Sequence, residues 1–588
     1  MLAKPTIRRS QRGTWCARLR GEVVLEPRPR SPLLATALVA LGLALYQFRA
    51  ILGRPAGRLL GTATDALHHA WSWWWYGHST GEGALTWLVS WPTGERGTLL
   101  SPLVALASQP WGLTLGPAFA YNLACFGVTG ASSIALGLLA WRLSRDPVAG
   151  VGACALWWVG RPVAAHLGLG VVEGVTLAPA ILGVLAAITW VTWEGGWRRG
   201  LGLAALTGLL FAVSVVENPY TLVPLVPGAI WAALARIRRA RLPGVGEALG
   251  AALAGVATLG GRLWWVGGDV GGNVTTSVRF AWLGRTWEAL EGERSLRIKQ
   301  LYSPFPVVDF SAAAATIRDK GGFAFLGYSV LVLAVLGAVW KGRAPRWALA
   351  LALIFSALAL GSLPWGQSGA PGPFFFVNLV LSEVLTPLTQ PFRFLALASA
   401  ALALAGGLGY AELARRRPDV WPRVLAAVVA EALVLGGPAL TIPTTDLASI
   451  DCLARLRSMG AGAVHLVPAG AVNPESVNTE ALRMQLVHGL PGTHHGLGGW
   501  RAESRNRAFD GALQTLVPSL TAAQPHRGFQ DDTTTLLSAG LTWVILPRTA
   551  VPAWAGASRA DCGGWSAFRL DELADKAATA TPSRWQGR

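Results

Sequence analysis

Apolar residues in this chain fall neither on one helical face nor on alternate positions; they form long unbroken runs. A continuous run of about 17–25 apolar residues matches the hydrocarbon thickness of a bilayer when coiled as a helix. Such runs recur near 33–52, 118–141, 147–162, 174–193, 200–216, 220–235, 246–267, 322–340, 347–365, 393–413 and 424–442. The pattern predicts an α-helical polytopic membrane protein of about 11 transmembrane helices. The first run is too long for a signal-peptide core and has no small-residue cleavage pattern behind it. It reads as an uncleaved first helix.

Beyond residue 442 the pattern changes. Ala463–Pro468 (AVHLVP) and Thr542–Pro547 (TWVILP) are short β-type runs bounded by Gly and Pro. A small C-terminal α/β domain is expected over 443–588. No fixed-period repeat is visible.

Composition agrees with the runs. Of 588 residues 52% are hydrophobic and 14% charged, with a mean hydropathy of +0.42, whereas soluble domains carry about 25% charged residues. The net charge of +18 would by itself suggest a nucleic-acid partner, but its placement along the chain excludes that reading. Residues 1–31 form a basic tail of charge +6, and the loops at 142–146, 194–199, 236–241, 341–346 and 412–423 bring one side of the membrane to +17. By the positive-inside rule that side is cytoplasmic. The expected layout is a basic cytoplasmic tail (1–31), a transmembrane domain (32–442) with exoplasmic loops 53–117, 268–321 and 366–392, and the exoplasmic tail domain (443–588). Loop 268–321 and the tail domain are each close to neutral.

Candidate chemistry collects on the side opposite the positive charge. Asp65 follows the first helix in TDALHHAWSWWW, where it can serve as general base towards a hydroxyl. With Thr64 it can equally cap the helix that follows. Trp71, Trp74 and Trp75 can share one face of an interfacial helix. Glu173, Glu217 and Asp309 are the other acids near that boundary, and each also reads as a turn acid. Arg393 in QPFRF can clamp a phosphate or snorkel, and the same pair of readings applies to Arg297 and Lys299 in an amphipathic stretch of the long loop. Cys452 and Cys562, near the ends of the tail domain, can pair in an oxidising compartment. His68, His69 and His78, like His488, His494 and His495, lack a recognised zinc spacing, so no metal site is assigned. No phosphate-binding loop, dinucleotide fingerprint or hydrolase elbow occurs.

Taken in order, TDALHHAWSWWW, WPTGERGTLLSP, AYNL at Ala120–Leu123, YSPFPVVDF, FLGYSVLVLAVLG at Phe325–Gly337, QPFRFLALASAALALAGGLG at Gln390–Gly409 and the tail motifs MQLVHGLPGTHHG and LLSAGLTWVILP resemble the GT-C superfamily of polytopic membrane glycosyltransferases, in particular its bacterial integral membrane members. The resemblance spans most of the chain and rests on motif order more than on any one motif. It implies an enzyme of the bacterial inner membrane and cell envelope. Such an enzyme moves a sugar, hexosyl or pentosyl, from a polyprenyl-phosphate donor to a glycan or lipid acceptor, with membrane lipid around it and no nucleic acid. It implies Asp65 as base, Arg393 as a phosphate contact, inverting chemistry and room for a divalent cation. The paired acidic motif of some members is absent, since Asp65 is flanked by Thr64 and Ala66. Two other readings stand beside it: a transporter or flippase of a lipid-linked glycan, and a non-catalytic envelope protein.

Overall fold

The computed structural model describes residues 30–78, 85–86, 95–96, 101–240, 242–266, 324–340, 342–361, 372–374, 376–377, 391–467, 474–493, 507–526 and 528–580. Arg297, Lys299 and Asp309, with the whole of loop 268–321, lie outside the described residues.

Each of the eleven apolar runs carries a helix, from Arg30–Gln47 to Trp421–Val434. Among the described residues five helices are long and apolar enough to cross a membrane: Pro117–Ser144, Val172–Val191, Trp197–Glu217, Pro219–Ala240 and Pro391–Arg416. Counting the bent pair Pro147–Trp157 and Arg161–Leu169 as one span makes six; Ser31–Gln47, Pro243–Leu259 and Tyr328–Trp340 are shorter apolar helices. Gly or Pro interrupts some of the runs.

The 48° bend of the 147–169 pair is one such interruption. Pro162 sits in the first turn of the second helix, where its ring would block continuation of the first. The broken backbone is satisfied from neighbouring segments: Arg161 N donates to Phe325 O (2.9 Å) and Gly437 N to Val159 O (2.9 Å). Irregular backbone at membrane depth persists only when protein groups satisfy it in this way.

The Phe394–Arg416 helix is the centre of the bundle. It is buried along most of its length and packs against Pro147–Trp157, Tyr328–Trp340 and Arg343–Ala359. Its sequence, rich in Ala and Gly, permits this. A Cβ on Gly407 would lie 2.6 Å from Ala153 N, and one on Gly409 would lie 1.9 Å from Leu333 O. Small residues let the backbones come this close, and close packing is what holds helices together where lipid competes for every apolar contact.

The C-terminal residues form an α/β unit around a four-stranded sheet whose strands lie in the order Ala463–Leu466, Leu541–Pro547, Trp565–Arg569 and Ala560–Cys562. The first two run parallel, and the other pairs are antiparallel. Cys452 and Cys562 are joined by a disulfide, with Cα atoms 5.9 Å apart.

This unit is attached to the helices at two places. The strand Arg58–Leu60, just after the first helix, pairs antiparallel with Thr444–Asp446, just after the last membrane helix. The Pro474–His488 helix lies on Ala63–His78, where Trp71 Nε1 donates to Gln485 Oε1 (2.7 Å). Trp71, Trp73, Trp74 and Trp75 are all buried, with Trp71 and Trp75 stacked at 6.2 Å. The expected interfacial face of tryptophans is therefore absent. The rings are taken up by the tail helix and by Tyr121, whose ring lies 5.5 Å from Trp73.

Candidate functional site

Asp65 is placed by the segment that leads into it. Asn122, from the Pro117–Ser144 helix, fixes that segment through three bonds: its amide donates to Pro55 O (2.7 Å) and Arg58 O (2.5 Å), and its carbonyl accepts from Leu60 N (2.9 Å). Gly61 follows with φ +104° and donates to Pro443 O (2.7 Å). Thr62 N donates to Gly168 O (2.8 Å). The helix then starts at Ala63, so Asp65 stands in its first turn, where a carboxylate meets the positive end of the helix dipole.

The Arg161–Leu169 helix ends against that turn. Its terminal Gly170 has φ +79°, and a Cβ there would lie 2.3 Å from Ala66 N, so only glycine allows the approach. The chain then enters the short turn Val172–Val175, which carries Glu173. Glu173 and Asp65 thereby come to opposite sides of one residue, His69. His69 Nδ1 is 3.0 Å from the Asp65 carbonyl oxygen, and its Nε2 is 3.0 Å from Glu173 Oε2. The second contact is an ion-pair distance without hydrogen-bond alignment.

The other Glu173 oxygen meets Arg393. Arg393 closes the turn Pro391–Arg393 that opens the central helix, and its Nη2 lies 2.7 Å from Glu173 Oε1. Its guanidinium stands 5.3 Å over the ring of Tyr220, a cation–π geometry. Tyr220 is held in turn by Asn218, whose carbonyl accepts from Tyr220 N (3.2 Å), and by edge contact with Phe394 at 5.4 Å. His166 packs on Phe392 (5.3 Å) and directs Nδ1 at Pro162 O (2.6 Å).

Both ring nitrogens of His69 thus face acceptors, an arrangement that suits the doubly protonated ring. Burial works against that charge, but the Glu173 carboxylate, helped by the Asp65 carbonyl and carboxylate, outweighs it and raises the pKa above 6.5. The cluster is a row of alternating charge: His69, Glu173, Arg393, with Asp65 one turn before His69.

An apolar groove of about 450 Å³ lies between Pro102–Leu115, Pro117–Ser144 and the neighbouring spans, and none of Asp65, His69, Glu173 and Arg393 lines it. Thr176, three residues after Glu173, is one wall, and Glu217 is another. Glu217 Oε1 accepts from Leu103 N (2.7 Å) at the start of the Pro102–Leu115 helix.

Of the residues singled out in the sequence, Asp65, Glu173 and Arg393 share one place, Glu217 lies on the groove, and Cys452 and Cys562 are in the tail unit. His69, Tyr220 and Asn122 were not singled out as partners of Asp65. The spacing of His69 carries a signal, since it follows Asp65 by one helical turn. Tyr220 and Asn122 are brought in by other helices.

A divalent cation held by Asp65 and Glu173 does not fit this donor set. Both Glu173 oxygens already face cations, and among the described residues no three His, Cys, Asp or Glu side chains converge.

No protein-family model and no curated protein matches the chain. Solved structures are similar to it, among them the following three. The oligosaccharyltransferase of Archaeoglobus fulgidus in complex with Zn and sulfate is 13% identical, with 88% of this chain and 68% of that chain covered, at a TM-score of 0.44. The archaeal oligosaccharyltransferase AglB from the same organism, in complex with an inhibitory peptide and a dolichol-phosphate, is 13% identical over 88% and 69%, at 0.43. ArnT from Cupriavidus metallidurans in the apo state is 12% identical over 94% and 99%, at 0.35. Identities this low say nothing of activity.

Proposed function

We propose that the protein is an integral membrane glycosyltransferase that transfers a sugar from a polyprenyl-phosphate donor to an acceptor hydroxyl at the exoplasmic face of a bacterial inner membrane, with Asp65 as base. What supports the reading is the row His69–Glu173–Arg393, with Asp65 joined to it through its backbone carbonyl at His69, together with an apolar groove among membrane-crossing helices whose wall includes Thr176, three residues after Glu173. A groove of this character suits a long isoprenoid chain, and a cluster containing an arginine at its end suits the phosphate attached to that chain.

In this mechanism Asp65 removes the proton from the acceptor hydroxyl. The acceptor oxygen bonds to the anomeric carbon from the face opposite the phosphate. The bond between that carbon and the phosphate oxygen breaks, and polyprenyl phosphate leaves with its charge met by Arg393. Attack from the opposite face inverts the anomeric centre. Arg297 and Lys299 are further candidates for the phosphate, and Asp309 for the sugar.

The test is sugar transfer by membranes containing the full chain, supplied with radiolabelled polyprenyl-phosphate sugars. An Asp65→Asn protein should transfer at about 10²- to 10⁴-fold lower rate, the usual contribution of a positioned base. Transfer at the wild-type rate would remove Asp65 from the mechanism.

A further inference from the structure

The donor set beside Asp65 raises a question that the transferase reading leaves open: what supplies positive charge at the site. Glu173 is the second acid of the cluster, and its two oxygens are engaged separately, one by Arg393 at 2.7 Å and one by His69 at 3.0 Å. Neither cation is there by chance of rotation at a surface. His69 is buried, its other ring nitrogen is taken by the Asp65 carbonyl, and its ring edge packs on Trp73 at 5.9 Å. Arg393 is held from behind by the face of Tyr220.

A divalent ion entering between Asp65 and Glu173 would have to break both ion pairs and then stay close to the two cations it displaced. Charges of like sign in a partly desolvated site repel strongly, and a carboxylate already shared by two cations has little charge left to offer.

We infer that His69 and Arg393 take the place of a divalent cation at this site, so that Glu173 is a positioning residue for protein cations and the phosphate of the substrate is met by Arg393 directly. The inference rests on the proposed transferase reading for the identity of the phosphate, but the claim about Glu173 stands on geometry alone. It places this chain apart from any enzyme of similar outline in which acids hold a metal ion.

Two measurements on the full chain in nanodiscs test it. The first is titration with Mn²⁺ followed by the electron paramagnetic resonance of the free ion. No stoichiometric uptake is expected, and uptake that disappears in Asp65→Asn or Glu173→Gln would overturn the inference. The second is binding of decaprenyl phosphate with and without EDTA. The wild-type affinity should not change with EDTA, Arg393→Ala should weaken it about tenfold or more, and Glu173→Gln, which leaves Arg393 unpositioned, should lower it by the same factor with and without EDTA. Loss of wild-type affinity with EDTA would overturn the inference. A His69→Gln/Glu173→Gln double variant, which replaces the ion pair by a neutral hydrogen bond, guards against misfolding of the single variant and should also bind independently of EDTA. If decaprenyl phosphate does not bind to the wild-type protein at all, the transferase reading falls, and the Mn²⁺ titration still decides whether Asp65 and Glu173 hold a metal.

Discussion

A histidine in a protein interior takes its protonation state from what its two nitrogens face, and His69 and His488 show the two outcomes. His69 has an acceptor at each nitrogen, which favours the charged ring. His488, buried at the end of the tail helix, accepts a bond from Leu490 N at Nδ1 (3.0 Å). Burial, with the nearby Arg457 charge adding, pushes its pKa down to about 3. The sign follows from linkage. Below about pH 6.5 the unfolded chain takes up a proton that folded His488 refuses, so stability is full above that pH and falls as pH drops towards about 3. The loss approaches about 1.4 kcal/mol per pH unit. Thermal unfolding of the full-length protein between pH 7 and pH 5 should show a falling midpoint, and His488→Gln should flatten that slope; an unchanged slope would count against this assignment. None of this was legible in the sequence. His69 and His488 both stand beside ordinary helical residues; their opposite states come from Glu173, distant in the chain, for His69 and from burial, with Arg457 adding, for His488.

At the scale of elements, hydropathy finds helices but does not rank them. The Pro391–Arg416 and Pro219–Ala240 spans have similar hydropathies of 1.7 and 1.4, yet 94% of the first window is buried against 28% of the second. What distinguishes the central helix is residue size. Its run of Ala and Gly lets three other helices approach backbone to backbone, while the larger side chains of the outer span, among them Ile230 and Trp231, are exposed. Gly409 is the sharpest case. Replacement by Ala puts a Cβ 1.9 Å from Leu333 O, a contact only helix displacement can relieve, and overpacking of this kind costs about 1–3 kcal/mol. Gly409→Ala should lower the midpoint of thermal unfolding, whereas Gly127→Ala, with open space around it, should not; equal behaviour of the two would contradict the packing described.

At the scale of the whole molecule, the tail unit covers the helix that carries Asp65. Arg58–Leu60 pairs with Thr444–Asp446 across nearly four hundred residues of chain, and Trp71 donates to Gln485 in a fully buried contact. Leaving the Trp71 indole N–H without that acceptor costs about 1–3 kcal/mol. Gln485→Leu should therefore raise hydrogen exchange in the Ala63–His78 helix and lower sugar transfer, with the disulfide-bearing sheet unaffected; exchange that rises in the sheet instead would show that the substitution unfolds the tail.

What the sequence determined by itself was the material of the fold: long apolar runs that become helices, a change of pattern near residue 442 that becomes an α/β unit, and the acids and arginine able to do chemistry. These are local properties, because a run of apolar side chains or a β-rich hexapeptide constrains its own few residues. Tertiary structure alone decided which run became the centre, that Trp71, Trp73, Trp74 and Trp75 are buried, and that Glu173 links His69 to Arg393. Those outcomes depend on close approach of segments far apart in sequence. Such approach is governed by residue size, broken backbone seeking partners and the burial of charge in pairs, and no single stretch of the chain contains all the groups involved.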